Sequence, residues 1–371
     1  LLPDSNKTQM NFSWQLLLLP LPLAGQIYIS LRVWQLLPDL LLLRLAAVVL
    51  MTLAFTTFFV AMSGALDRMP IGSATLAYEV GTSWVILLLY LILLFAVIDL
   101  ALALHLLPRA WVKGSVMGSV AVGALLVGVF TYAYLHFEHK QRVELTLDSG
   151  GRVSRPLKLV MMSDLHLGYH NRRSDLHRWL ELIKAERPDA ILIAGDLIDQ
   201  TLKPVLEEES AEEFRRLGIP VFAVLGNHDY YAGTEADKAF CRRAGITMLQ
   251  DNVAYLGDVA IVGRDDRTNR RRRSLREVMA GIDRSKYIIE MDHQPYHLEE
   301  AAQNGVNFEL AGHTHHGQVW PLNWGTDAIY EKAYGSMTKG RTHYYISSGI
   351  GIWGGKFRIG TQSEYVVATV K

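Results

Sequence analysis

Late in the chain, Gly312-His313-Thr314-His315 sets two imidazoles on either side of one residue. If that segment is extended, alternate side chains share a face and both rings point the same way. Two histidines alone are a weak metal signal, so the question is whether partners exist. Four earlier clusters offer them: Asp164-Leu165-His166, Gly195-Asp196-Leu197-Ile198-Asp199, Gly226-Asn227-His228-Asp229 and Asp292-His293. Carboxylate, amide oxygen and imidazole without thiolate suit Mn²⁺, Fe or Zn²⁺ and disfavour soft-metal sites.

Each cluster follows an apolar run. Leu159–Met162, Ala190–Ala194, Val221–Leu225, Tyr287–Met291 and Phe308–Ala311 all read as buried strands. Every run therefore delivers an oxygen or imidazole at its carboxyl end, where loops build sites. Five unrelated loops that merely cap strands would not be expected to repeat this pattern.

The ordered set D-x-H, G-D-x-x-D, G-N-H-D, a lone His and G-H-x-H resembles the calcineurin-like metallophosphoesterases, in their membrane-anchored bacterial-type form. The match spans roughly residues 157–371. The resemblance implies a four-layer αββα sandwich and two divalent metal ions, Mn most of all, with Fe or Zn as alternatives. It puts Asp164, His166, Asp196 and His315 on one metal, and Asp196, Asn227, His293 and His313 on the other. A bridging ligand should be a carboxylate, which has two oxygens and a negative charge to hold two cations together; that fits Asp196. Two such metals about 3.5–4 Å apart would polarise a phosphoryl oxygen and activate water near neutral pH. The resemblance further implies that His228 contacts the phosphate and protonates the leaving oxygen, that Asp229 orients His228, and that Asp199 supports a ligand from behind.

One departure is His316. Relatives with this layout often carry Gly-Gly after the second histidine of that motif, and here His316-Gly317 follows. An imidazole there bears on substrate choice and not on the metals. Histidines 105, 136, 139, 170, 177, 297 and 343 read as surface or packing residues.

The chain has 371 residues, half of them hydrophobic, and a formal net charge of zero. That is enough for one ordinary domain plus something more, and the charge balance gives no reason to expect nucleic acid. A lone cysteine, Cys241, excludes an intrachain disulfide and reads as a packing residue. Met10 is the expected start, so residues 1–9 are set aside as an upstream extension.

Residues 10–140 differ in composition from the rest, and 1–140 read as a four-helix transmembrane region, with spans at about 14–31, 40–62, 84–107 and 116–135. Pro20 and Pro22 should kink the first. Arg44 can snorkel from a helix end, and Asp99 is expected to pair with a neighbouring helix. So few intramembrane charges favour a packed anchor over a transporter. Ser119/Gly123 and Ala124/Gly128 give small-residue spacing for close packing, within the bundle or between the protomers of a homodimer. The positive-inside rule applied to Arg32, Arg109 and Lys113 puts their loops in the cytoplasm and the catalytic domain outside it, with Lys140 and Arg142 pulling the other way.

Residues 141–156 read as a linker and 157–371 as the metallophosphoesterase domain, with helices near 174–186, 206–217, 235–244, 274–281 and 297–304. Strands are expected over 259–262, 344–348 and 365–370, an α/β alternation suited to two packed sheets covered by helices. Gly349-Ile350-Gly351-Ile352-Trp353-Gly354 fits a dinucleotide fingerprint, but no helix opens after it, so it reads as a flexible loop. The run Arg270–Arg273 reads as a solvated loop or as a patch for anionic headgroups. The expected function is hydrolysis of a phosphoester or pyrophosphate, on a phosphorylated lipid or envelope component. The other function classes are a membrane transporter or sensor with a regulatory hydrolase domain, and a metal-binding scaffold. Metal-dependent turnover of a generic phosphodiester, and activity of residues 150–371 alone, separate them.

Overall fold

The computed structural model describes residues 20–371. They form two compact units. One holds Leu76–Val129 with the described residues before Pro70; the other holds Pro70–Thr75 with Phe130–Lys371.

The first unit is helical. α1 (Pro20–Leu36), α2 (Leu41–Met62), α3 (Ile71–Ala103) and α4 (Val116–Glu138) follow one another. The last three are long and apolar enough to cross a membrane; α1 has 17 described residues. The third expected span began at 84, but the helix starts at Ile71. Residues 14–19 of the first expected span, and Met10, lie outside the described residues. Pro20 and Pro22 lie at the edge of the described residues, as the first and third described positions of α1. Asp99 does pair across helices: it accepts from the Tyr28 hydroxyl at 2.6 Å and from Arg32 Nε at 3.0 Å. Arg32 is therefore a helix residue held by a carboxylate and not a free loop charge. Arg44 reaches back to Asp39 at 2.8 Å and to the Leu37 carbonyl at 2.9 Å.

The second unit contains two six-stranded sheets. One has the order β1 (Lys140–Leu147), β12 (Ser363–Val370), β2 (Leu157–Met162), β3 (Ala190–Ala194), β4 (Val221–Val224), β5 (Ile246–Leu249). The other runs β10 (Gly335–Lys339), β11 (Thr342–Ile346), β9 (Phe308–Ala311), β8 (Tyr287–Met291), β7 (Val259–Gly263), β6 (Asn252–Leu256). Side-chain alternation explains why the strands read as continuous apolar runs. On β2, Leu159 and Met161 enter the core between the sheets, while Val160 and Met162 pack beneath helices. β3 divides the same way, with Leu192 inward and Ile191 and Ile193 outward. The helix layer on the first sheet includes α5 (Arg173–Ala185), α6 (Lys203–Glu207), α7 (Ala211–Arg215) and α9 (Thr234–Ala244); α8 (Asn227–Ala232) opens on the third motif. α10 (Leu275–Val278) and α11 (Glu299–Asn304) cover the second sheet. This is the helix–sheet–sheet–helix layering expected. Each buried aliphatic side chain contributes about 1.5–3 kcal/mol.

Three expectations change. The stretch read as a linker opens with β1, which pairs in parallel with β12 along its whole length, Lys140 opposite Ser363 to Leu147 opposite Val370. Val143, Leu145 and Leu147 face the core in alternation, and the charges between them occupy the outer face of an edge strand. The helix expected at 206–217 is broken into α6 and α7 by Glu209, whose φ is +54°. The Gly349–Gly354 segment is not a loose loop. Ile350 and Ile352 are buried, and the Ile350 N–H donates to the Ser163 carbonyl at 3.1 Å. Gly349, at φ +88°, lies so close to Asp164 that a β-carbon would sit 2.8 Å from that residue's own Cβ. These glycines form the floor under the first motif.

Candidate metal centre

The motifs leave their strands in left-handed turns. Asp164, His166, Asp196, His313 and His315 all have φ between +44° and +71°. Such values are uncommon for residues other than glycine and are maintained only where surrounding contacts demand them. The extended picture of Gly312–His315 therefore fails. β9 ends at Ala311, and the two imidazoles turn apart to different neighbours.

His315 joins Asp164 and His166, while His313 joins Asp196 and His293; within each group the ligand atoms lie inside 4.8 Å of one another. His166, Asp196 and His228 form a third such group, so Asp196 stands between the two sets. The Asp196 Oδ2 is 3.1 Å from His293 Nε2 and 3.5 Å from His166 Nε2, and its Oδ1 accepts from the His228 backbone N–H at 2.8 Å. Gly226 permits this approach: a β-carbon there would fall 2.5 Å from the Asp196 nitrogen.

The donor atoms fit cations. His166 Nε2 and His315 Nε2 face each other at 3.0 Å. His293 Nδ1 lies 2.7 Å from the Ala194 carbonyl and donates to it, which leaves Nε2 as the free coordinating nitrogen. That Nε2 faces the Asp196 carboxylate at 3.1 Å, and the Asn227 Oδ1 is buried without a hydrogen-bond partner. Leaving such an atom unpaired costs about 1–3 kcal/mol, a cost that coordination removes. Charge agrees. Burial opposes a proton on His293, yet Asp196 outweighs it and raises the pKa well above the usual range. The protein asks for positive charge at that point. Burial, followed by the charge of His293, lowers the His313 pKa to about 4, so this ring is a neutral donor.

His228 stands apart. Its Nδ1 is 2.9 Å from Asp199 Oδ1, and the same oxygen is 3.4 Å from His166 Nδ1. Burial works against charge on His228, but Asp196 and Asp199 prevail and raise its pKa to about 9. Asp229, expected to orient His228, is engaged elsewhere. Its carboxylate accepts from the backbone N–H groups of Gly226 at 2.7 Å and Ile198 at 2.8 Å, pinning the second and third motif loops together. The carboxylate that does touch the His228 ring is that of Asp199. Sequence reading missed one further residue, Arg358. It is fully buried, and its guanidinium donates to the His315 carbonyl at 2.6 Å and to Ser363 Oγ at 3.2 Å, as well as to the Ser348 carbonyl. No local motif marks it. The arginine run is also not uniformly solvated: Arg272 reaches inward to both oxygens of Asp292, at 3.0 and 2.9 Å. A buried carboxylate next to His293 needs a cation, and the run supplies one. His316 stacks on Tyr334, with ring centroids 4.8 Å apart, and its Nε2 is 3.5 Å from Asp327.

Residues 157–317 match the family described as calcineurin-like phosphoesterase. The chain carries a calcineurin-like phosphoesterase domain. A metallophosphoesterase of Aquifex aeolicus is 27% identical over 258 residues, covering 67% of this chain and 97% of that protein. A zebrafish (Danio rerio) transmembrane protein with metallophosphoesterase domain is 28% identical over 250 residues, covering 62% of this chain and 56% of its own length. Among solved structures, a dimetal phosphatase from Danio rerio aligns with a TM-score of 0.37 at 12% identity, covering 52% of this chain and 88% of that one. A phosphoesterase domain of this family uses divalent metal ions, and its chemistry is that of a phosphoric ester hydrolase.

Proposed function

We propose that the chain hydrolyses phosphoester or pyrophosphate bonds at a dinuclear centre, Mn²⁺ in first place, while tethered to a membrane outside the cytoplasm. The observation that carries this is Asp196 standing between two ligand groups, with His228 beside it. Asp164, His166 and His315 would hold one ion, and Asn227, His293 and His313 the other, with Asp196 shared. Bound metals would polarise the phosphoryl group and activate the attacking water. The chain's own residues do the rest. His228 gives a proton to the leaving oxygen, and the carboxylate of Asp199 beside it favours the charged ring. Asp199 holds its Nδ1, so the proton for transfer is on Nε2. Asp229 and Gly226 fix the loop from which His228 projects.

The substrate proposed is a phosphorylated lipid or lipid-linked envelope component. The support is chain connectivity: α4, long and apolar enough to cross a membrane, ends at Glu138, and β1 begins at Lys140. A domain so closely tethered meets membrane-borne phosphates first. Full-length protein in detergent should hydrolyse bis-p-nitrophenyl phosphate, lose that activity to a chelator and regain it best with Mn²⁺. Undiminished turnover in the chelator sinks the metal reading. A phosphatase reporter fused after Lys371 should be active as an exported enzyme; a fluorescent cytoplasmic fusion instead overturns the orientation.

A further inference from the structure

A short helix next to the ligand turn faces the wrong way for a soluble protein. α12 (Leu322–Ile329) places Leu322, Trp324, Gly325, Ala328 and Ile329 on one arc and Asn323, Thr326 and Asp327 on the other. An amphipathic helix ordinarily buries its apolar arc. Here the polar arc meets the body, through Asp327 opposite His316 at 3.5 Å. None of the helix is buried: Leu322, Trp324 and Ile329 are 50%, 63% and 68% exposed. Trp320, just before it, is 41% exposed and meets Trp324 edge-on at 5.5 Å.

Two connections say what such a surface is for. On one side, the Trp320 N–H donates to the Ile359 carbonyl at 2.7 Å, the adjacent Arg358 N–H donates to the Ala133 carbonyl at 3.1 Å, and Phe357 packs on Phe130 with ring centroids 4.8 Å apart. Ala133 and Phe130 belong to the final turns of α4, where Tyr132 and Leu135 are also exposed. Through residues 357–359 the tryptophans thus connect to the last turns of a helix long and apolar enough to span a bilayer. On the other side, α12 follows directly on the His313–Gly317 turn, and the ring of Tyr330 at its end lies 6.2 Å from that of His313. Tryptophan favours the headgroup boundary, with its ring in apolar surroundings and its N–H near water.

We propose that residues 320–329 form an interfacial anchor that inserts its Trp, Leu and Ile side chains into the bilayer surface beside the metal centre. The substrate class that fits is a phosphate carried by an amphiphile, whose headgroup passes from the boundary to the metals without leaving the lipid. The proposal deepens the phosphoesterase reading and rests on it for the substrate, though not for the insertion.

The experiment uses the full chain in lipid nanodiscs. Trp324→Cys, labelled with a fluorophore while the buried Cys241 stays unreactive, should be quenched by nitroxide on lipid and shielded from an aqueous quencher. Quenching from water alone, or shielding from both quenchers with cross-links between two copies, overturns insertion. A Trp324→Asp/Ile329→Asp variant should lose about tenfold in kcat/KM on a lipid phosphate in the same discs, as interfacial contact is lost, with bis-p-nitrophenyl phosphate turnover unchanged. Equal losses on both substrates, or no loss on either, overturn the substrate part. A wild-type chain that hydrolyses neither substrate refutes the phosphoesterase reading and with it the substrate part, while the quenching result still decides insertion.

Discussion

Asp199 Oδ1 lies 2.9 Å from Nδ1 of His228. If His228 is the acid, as proposed, its carboxylate partner is Asp199 and not Asp229. Burial alone would raise the Asp199 carboxyl, but His166 and His228 outweigh it and hold the group far below the usual carboxylate range. It is a permanent anion behind two imidazoles. His228→Ala should keep both metals and lose about 10²–10⁴ in rate on a poor leaving group. The loss should be smaller with nitrophenolate, which needs little protonation. Asp199→Asn should cost about 10- to 100-fold and weaken metal affinity as well, because it frees His166 too. Steady-state rates on an alkyl and a nitrophenyl ester check this; equal losses for His228→Ala on the two would refute the proton-donor role.

The strands that carry the motifs, and the motif residues, were legible because those strands are buried and largely apolar, and each ends in a polar cluster; β5, β6 and β10 carry no motif and were not read. What could not be read was conformation after the strand. Asp164, His166, His313 and His315 sit in left-handed turns, and alternation rules hold only for extended chain. β1 was hidden because its outer face is charged, which makes an edge strand look like a linker. Asp199 and Asp229 could not be told apart from sequence, since both are buried acids next to the same motifs. Arg358 is distant in sequence from every motif, and only the fold brings it to His315.

Asp196 provides the sharpest metal test. It is the carboxylate between both groups, so Asp196→Ala should lose both ions, and the wild type should hold about two per chain under saturating supply. His313→Ala should lose chiefly one. Elemental analysis of the purified variants decides; an Asp196→Ala protein with one fully occupied site and normal activity would refute the bridge.

Stability should depend on pH through His170. Its Nε2 lies 2.7 Å from the Ile352 carbonyl, and burial lowers its pKa to about 4. A histidine depressed in the folded state stabilises fully above its unfolded value near 6.5, and that stability is lost as pH falls toward 4. The shift corresponds to about 3 kcal/mol between those limits. His170→Leu should flatten that part of the profile. Urea unfolding of metal-free wild type and variant at pH 7 and pH 4 measures it. The gap between the two proteins should shrink as pH falls, and a constant gap would refute the assignment.

Arg358 should matter to one metal more than to the other. Its guanidinium satisfies the His315 carbonyl from a fully buried position, and burial lowers its pKa to about 10. Arg358→Met removes those donors and leaves buried carbonyls unpaired, at about 1–3 kcal/mol each. The turn carrying His315 then loses the contact that holds it at φ +47°. His313 keeps a separate tie, because its backbone N–H donates to Asp164 at 3.1 Å. The expected result is a protein with a lower unfolding midpoint that binds one metal tightly and the second weakly. Arg358→Lys should restore part of the second affinity, since an ammonium can satisfy one carbonyl at a time. Calorimetric Mn²⁺ titration separates the two sites. Equal weakening of both ions, or tight binding of both by the Met variant, would show that Arg358 supports the fold without positioning His315.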